Sequence, residues 1–261
     1  MTKLILLIVN LFFLLSCDFT PQLNKDILRA QVSINLREYK QAAYQYEEIL
    51  KKHSSKDIRI KIAYQLAEIY SIYLSEYPKA IFYYKEVINL SQDPLWTIKA
   101  EEKIADILFS YQKDYKSSAF HYKRLIDFTP KLERFDMYEF RYAISLIYFN
   151  KDEKGVDVLF KINSTPTHEF KQKSLYYVGE YYYLKQDWVK AVYYWKNYIE
   201  NEPRKDNIVK AKFLMANAYE MMESLKIAYA TYKSIINDYP NREVITRKLS
   251  SIYDRRLARK R

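Results

Sequence analysis

The chain has 261 residues, a net charge of +11 and 28 tyrosines, but only two glycines and one cysteine. Gly155 and Gly179 lie far apart, so neither a phosphate-cradling loop nor a dinucleotide fingerprint can be built, because both need glycines clustered in one turn. The histidines, His53, His121 and His168, are scattered; they read as solvated or satisfied surface residues, and no metal site is expected.

Residues 1–16 read as an export signal. Lys3 gives a short positive start, and Leu4–Leu15 is apolar except for Asn10. Such a run rises about 18 Å as a helix, well short of the ~30 Å hydrocarbon core. It is therefore a signal segment and not a membrane span. Leu14-Leu15-Ser16-Cys17 is similar to the lipobox of bacterial lipoproteins. That resemblance implies cleavage before Cys17 and acylation of its thiol and amine. Residues 17–24 would then be a lipidated polar tether, and the mature chain would have no free thiol. Export makes nucleic acid a poor partner for the positive charge; lipid headgroups, acidic proteins and envelope polymers suit it better.

From Lys25 onward the apolar residues follow the period of one helix face. Six helical hairpins are expected, over residues 25–53, 57–90, 95–128, 134–162, 168–201 and 206–238. Ala42, Ala80, Ser118, Gly155, Ala191 and Ala228 open the second helices at intervals of 36–38 residues. Four residues on stand Tyr46, Tyr84, Tyr122, Leu159, Trp195 and Tyr232; three further on stand Ile49, Val87, Leu125, Ile162, Tyr198 and Ile235. The first helices carry Ala30, Ala67, Ala105, Ala143, Gly179 and Ala216. The second and third have one extra residue in the first helix. Pro94, Pro130, Pro166, Pro203 and Pro240 close most units, and Asp93-Pro94 marks a helix start. Asn163–Pro166 is the clearest loop, a turn or a hinge. The pattern is plainest in Lys173–Pro203, where small Gly179 and Ala191 let two aromatic-rich helices approach, with a break at Gln186-Asp187.

This alternation of small and aromatic positions resembles the tetratricopeptide repeat (TPR). The resemblance covers about residues 25–240. It implies an all-α, right-handed solenoid whose concave face is built from the first helices. Residues 241–261 would form a basic capping helix, apolar along Val244, Leu249, Ile252 and Tyr253.

By the same resemblance, the groove positions of the last two hairpins are Lys173, Tyr176, Glu180, Tyr183, Lys210, Phe213 and Asn217. Aromatic anchors among a few polar groups suit a protein or peptide ligand. Phe213 stands where a chaperone-type carboxylate clamp has lysine. Tyr176 and Phe213 should be more exposed than Trp195 and Tyr232. Adjacent acids such as Glu101-Glu102 diverge by ~100° on a helix, so they cannot form an acid/base pair. No enzyme, cofactor or small-molecule substrate is expected. Arg255, Arg256, Arg259, Lys260 and Arg261 make a basic tail, either a solvated helix end or a contact for an acidic partner or membrane. Signal, lipidated cysteine and repeats together look like the BamD/ComL class of outer-membrane assembly lipoproteins. That likeness implies an envelope scaffold facing the periplasm or the exterior. A scaffold for a cell-wall or motility complex, or an accessory subunit of an envelope enzyme, are the alternatives.

Overall fold

A computed structural model describes residues 20–53 and 55–259. The signal, Cys17, Lys260 and Arg261 lie outside the described residues. The fold is all-α, of the TPR-like solenoid class, with no strand among the described residues. The helices are α1 (Thr20–Asn35), α2 (Tyr39–Lys52), α3 (Lys56–Glu68), α4 (Tyr77–Leu90), α5 (Pro94–Ile107), α6 (Tyr115–Ile126) and α7 (Phe135–Asn150). They continue with α8 (Glu153–Ser164), α9 (Lys171–Leu184), α10 (Trp188–Glu200), α11 (Lys205–Met221), α12 (Leu225–Lys233) and α13 (Arg242–Ala258). Two compact units divide at Gln112/Lys113. The first holds α1–α5 and the second α6–α13. The division does not fall in the Asn163–Pro166 loop, whose first two residues belong to the last turn of α8. The expected tether is also shorter, because α1 takes in Thr20–Asn24.

The small residues buried in every hairpin explain the packing. Ala30, Ala67, Ala105, Ala143 and Ala216 are wholly buried on the first helices, as are Ala42, Ala80, Ser118, Ala191 and Ala228 on the second. The aromatic or leucine four residues after each second-helix marker is buried as well, from Tyr46 to Tyr232. A methyl or hydrogen at these positions lets two backbones approach, and the large side chain fills the space beside it. Gly179 is the extreme case. A Cβ there would lie 2.5 Å from the Cδ1 and Nε1 atoms of Trp195.

The turns repeat too. Arg37, Ser75, Lys113, Lys151, Gln186 and Glu223 all have positive φ, one in each first-to-second-helix turn, and none is glycine. In three of them the next residue, Glu38, Asp187 or Ser224, closes the turn by donating its amide five residues back, as Asp187 does to the Tyr182 carbonyl at 2.9 Å. This is the Schellman arrangement. That next residue then caps the second helix; Asp114, Asp152 and Asp187 accept from Ser117, Lys154 and Lys190 amides. The carboxylates also meet the positive ends of the helix dipoles.

The extra residue in the second and third hairpins has a structural answer. Both first helices end in a π-helical turn, at Ile69–Tyr73 and Leu108–Gln112. A π-turn absorbs one inserted residue while keeping the helix continuous. The small residues on both sides therefore stay in register.

The cap differs from expectation by one residue. Ile245 and Ile252 are wholly buried and Leu249 packs beside them, whereas Tyr253 is 52% exposed. The spacing 245-249-252 follows a single stripe, which Val244 and Tyr253 flank on either side.

Candidate functional site

In the second unit, α9, the end of α10 and the start of α11 enclose a cleft of about 270 Å³, lined by Lys173, Tyr176, Tyr177, Tyr198, Arg204, Asn207 and Lys210. Gly179 lies one turn further along α9, outside the lining. Because Trp195 can press against that glycine, its indole N–H donates to the Tyr176 carbonyl at 3.0 Å. This fixes the turn of α9 that carries Tyr176 and Tyr177. The two rings meet edge to face at 5.3 Å, and Tyr176 meets Tyr198 at 5.4 Å.

Behind the lining residues Tyr198, Arg204 and Asn207 sits a fixed carboxylate. Glu202 is buried at 6% exposure. Its Oε1 accepts from the Arg204 backbone and Nε and from Asn207, and its Oε2 accepts from the Tyr198 hydroxyl at 2.7 Å. Hydrogen bonds from Arg204, then Tyr198 and Asn207, hold its carboxyl down at about 2. The lining itself carries the cations Lys173, Arg204 and Lys210. Partial desolvation, then the like charges of Arg204 and Arg141, push the Lys173 ammonium below the usual lysine range. No salt bridge holds Lys173 or Lys210 among the described residues, although Lys173 lies 5.6 Å over the Phe140 ring. Burial pushes the Tyr177 hydroxyl up to about 12 and raises Tyr176 further. Both hydroxyls therefore remain protonated, that of Tyr176 engaged with Glu180. The cleft offers aromatic faces, neutral hydroxyls and cations, a set that suits an extended segment carrying carboxylates.

The seven expected groove residues divide. Lys173, Tyr176 and Lys210 line the cleft. Glu180 is turned inward to the hydroxyls of Tyr148 and Tyr176, and burial raises its carboxyl. Tyr183 packs on Trp188 and Trp195. Phe213 stacks on Tyr239 at 4.6 Å, and Asn217 accepts from Tyr232. These last four hold the hairpins together and do not line the cleft. The exposure order is as expected: Tyr176 and Phe213 are half-buried, Trp195 and Tyr232 wholly buried. Tyr177, Tyr198, Arg204 and Asn207 were not anticipated. Tyr198 carried a signal as a repeat marker, and Arg204 follows the unit-closing proline.

Over its described residues the basic tail is not a free end. Arg255 reaches Glu220 at 2.9 Å and Glu223 at 2.5 Å, Arg259 reaches Glu223, and Lys248 reaches Glu220 at 3.0 Å. Arg256 lies over the Tyr229 ring. These contacts fasten the cap to the end of α11, the turn after it and α12. Two histidines also depart from expectation: His121 and His168 are buried. His168 Nδ1 accepts from the Phe170 amide at 3.1 Å, and its Nε2 lies 3.6 Å from Glu139. No group of His, Cys, Asp and Glu fit to hold a metal occurs among the described residues. Among the same residues, no helix is long and apolar enough to cross a membrane.

A family model described as a domain of unknown function, DUF6340, matches residues 177–259. That span covers most of α9, all of α10–α12 and the cap. No curated protein matches the chain. Among solved structures, the fold is similar to that of PilW, described as a widely conserved type IV pilus biogenesis factor. The identity is 15% and the TM-score 0.56, over 88% of this chain and 97% of that one. The apo form of RapI matches with 14% identity and a TM-score of 0.55, over 90% of this chain and 75% of that one. The apo form of the quorum sensor NprR from B. thuringiensis matches with 14% identity and a TM-score of 0.56, over 88% and 68%. At such identities the likeness is one of fold.

Proposed function

We propose that this protein is an envelope scaffold, held to a membrane through acylated Cys17, that binds an extended acidic segment of a protein partner in the α9–α11 cleft. The observation that carries the binding reading is the cleft itself: half-buried tyrosines are fixed by the Trp195–Gly179 contact and faced by Lys173 and Lys210, which no salt bridge holds among the described residues. The lipid anchor rests on the sequence at Leu14–Cys17. Assembly of outer-membrane proteins is the proposed pathway. A motility complex is the alternative, supported by a fold that spans nearly all of a pilus biogenesis factor.

A photo-crosslinking residue at Tyr177 tests the cleft in intact cells. A discrete adduct is expected there, absent when the same residue replaces exposed Tyr193 and lost on adding Lys210→Glu. The adduct's identity separates the two pathways. Equal adducts at both positions would refute the cleft as the docking site. Cys17→Ser should leave an uncleaved or soluble precursor that takes up no radiolabelled palmitate.

A further inference from the structure

Each later first helix packs on the second helix of the hairpin before it: α3 on α2, α5 on α4, α7 on α6, α9 on α8 and α11 on α10. Two places after the small marker these helices carry Ile69, Ile107, Ser145, Tyr181 and Ala218, all buried. No described hairpin precedes α1, and its residue at that position, Val32, is 46% exposed. Leu28 and Leu36 stand four residues to either side, 59% and 64% exposed. The Leu36 amide donates to the Val32 carbonyl at 2.9 Å, so the helical spiral runs through all three. A spacing of four places them on one stripe.

The other side of α1 is apolar as well: Leu23, Ile27, Ala30 and Ile34 belong to the first unit's core. A terminal solenoid helix ordinarily shows solvent a polar outer face, and a row of exposed aliphatic side chains marks a contact surface. Basic residues edge the stripe. Lys25 and Arg29 stand three residues before Leu28 and Val32, and both are exposed, as is Arg37. Asp26 is taken up by Gln22 at 2.9 Å and by Arg29 at 3.7 Å. Exposed Glu38 lies beyond the stripe, next to α2. No salt bridge holds Lys25 or Arg37 among the described residues.

Reach and area select what covers the stripe. Leu28 is eight residues into α1, ~12 Å along its axis, and the chain from Cys17 to Thr20 adds at most ~10 Å. An acyl chain on Cys17 therefore keeps Leu28 within ~22 Å of the bilayer. A patch one helix wide and ~24 Å long falls well short of the ~800 Å² that each partner gives a stable dimer. A lipid surface needs no such area when the acyl chains already supply the affinity.

We infer that α1 lies flat on the membrane, with Leu28, Val32 and Leu36 at the boundary of headgroups and acyl chains and Lys25 and Arg29 reaching phosphate. The inference rests on the acylation of Cys17 proposed above. Acyl chains alone leave the protein free to swing; the stripe fixes the orientation of the first unit.

Cys17 is the chain's one cysteine. Once acylated, it leaves an introduced cysteine as the single free thiol. The full lipoprotein, purified from membranes, is reconstituted in vesicles with about 30% phosphatidylglycerol, an anionic surface. Nitroxides at Leu28→Cys and Val32→Cys are expected to be open to dissolved oxygen and shielded from a water-soluble nickel chelate. One at exposed Lys85→Cys should be open to both. With Leu28→Ser, Val32→Ser and Leu36→Ser combined, a nitroxide at neighbouring Asn35→Cys should lose the shielding it has in the parent background, with helicity and acylation unchanged. Chelate access at Leu28→Cys in an acylated protein would overturn the inference and leave the anchor standing. Exclusion of both reagents there would also overturn it, because protein then covers the stripe; dipolar broadening between labels would make that protein a second copy. A Cys17 thiol that reacts with maleimide would remove the anchor and the inference together.

Discussion

The repeat places equivalent clefts in the two units, and their linings differ. In the first unit α3, the end of α4 and the start of α5 enclose about 410 Å³, with Lys56, Asp57, Lys61, Asp93 and Trp96 on its walls. In the second, α9, α10 and α11 do the same with Lys173, Arg204 and Lys210. Lys61 stands six residues before Ala67, as Lys173 stands six before Gly179. Trp96 and Asn207 likewise occupy matching positions. Asp93 stands beside the first cleft and caps α5 through the Leu95 amide, whereas the acid of the second, Glu202, is buried in its own network. The first cleft therefore balances its charges, and the second presents cations. Equal backbones do not make equal sites; the charges at the helix ends decide.

The helix contacts beside the two clefts differ as well, and this difference carries the largest expected effect. The first-helix residue is Ala67 in one unit and Gly179, beneath Trp195, in the other. Gly179→Ala should cost ~1–3 kcal/mol by overpacking, read from the urea midpoint. Trp195→Tyr, which copies Tyr84 of the first unit, should restore part of that loss, giving a coupling of ~0.5–3 kcal/mol. Additive effects would mean that the two residues do not meet. Ala191→Leu should be destabilising in the same range.

Next is charge. Lys210→Glu should weaken an acidic peptide bound in the second cleft about tenfold, or ~1.4 kcal/mol. Lys61→Glu in the first should leave it unchanged. Equal losses by calorimetry would show that the clefts do not differ in this way.

Glu202 gives a pH signature that the first cleft lacks. Its folded pKa of about 2 lies below the free value of 4.5. The group therefore adds stability that is fully present above pH 4.5 and is lost as the pH falls towards 2. Glu202→Gln should cost ~1–3 kcal/mol near neutrality, and the gap from the parent protein should narrow over that window. A constant gap would remove the carboxylate from this role. The smallest effect is at a turn. Gln186→Gly relieves a left-handed residue but loosens the unfolded chain, and a gain of only ~0.5 kcal/mol is expected.

The repeat was legible because burial of small residues at a fixed interval leaves a direct trace in the sequence. The inserted residue in the second and third first helices was visible too, but a π-turn is only one way to absorb an insertion. Hydrophobic pattern gave the cap its helix and missed its rotation by one residue, since Val244 and Ile245 are equally apolar.

Sequence alone determined the helical hairpins, their register and the positions where only glycine, alanine or serine fit, because local periodicity and side-chain volume decide these. Tertiary structure decided which polar groups meet. Lys173, Arg204 and Lys210 converge from two helices, Arg255 finds Glu220 thirty-five residues away, and Tyr183 and Asn217 are taken up by packing. Charge pairing depends on distance in space, and a helix face fixes direction without fixing the neighbour.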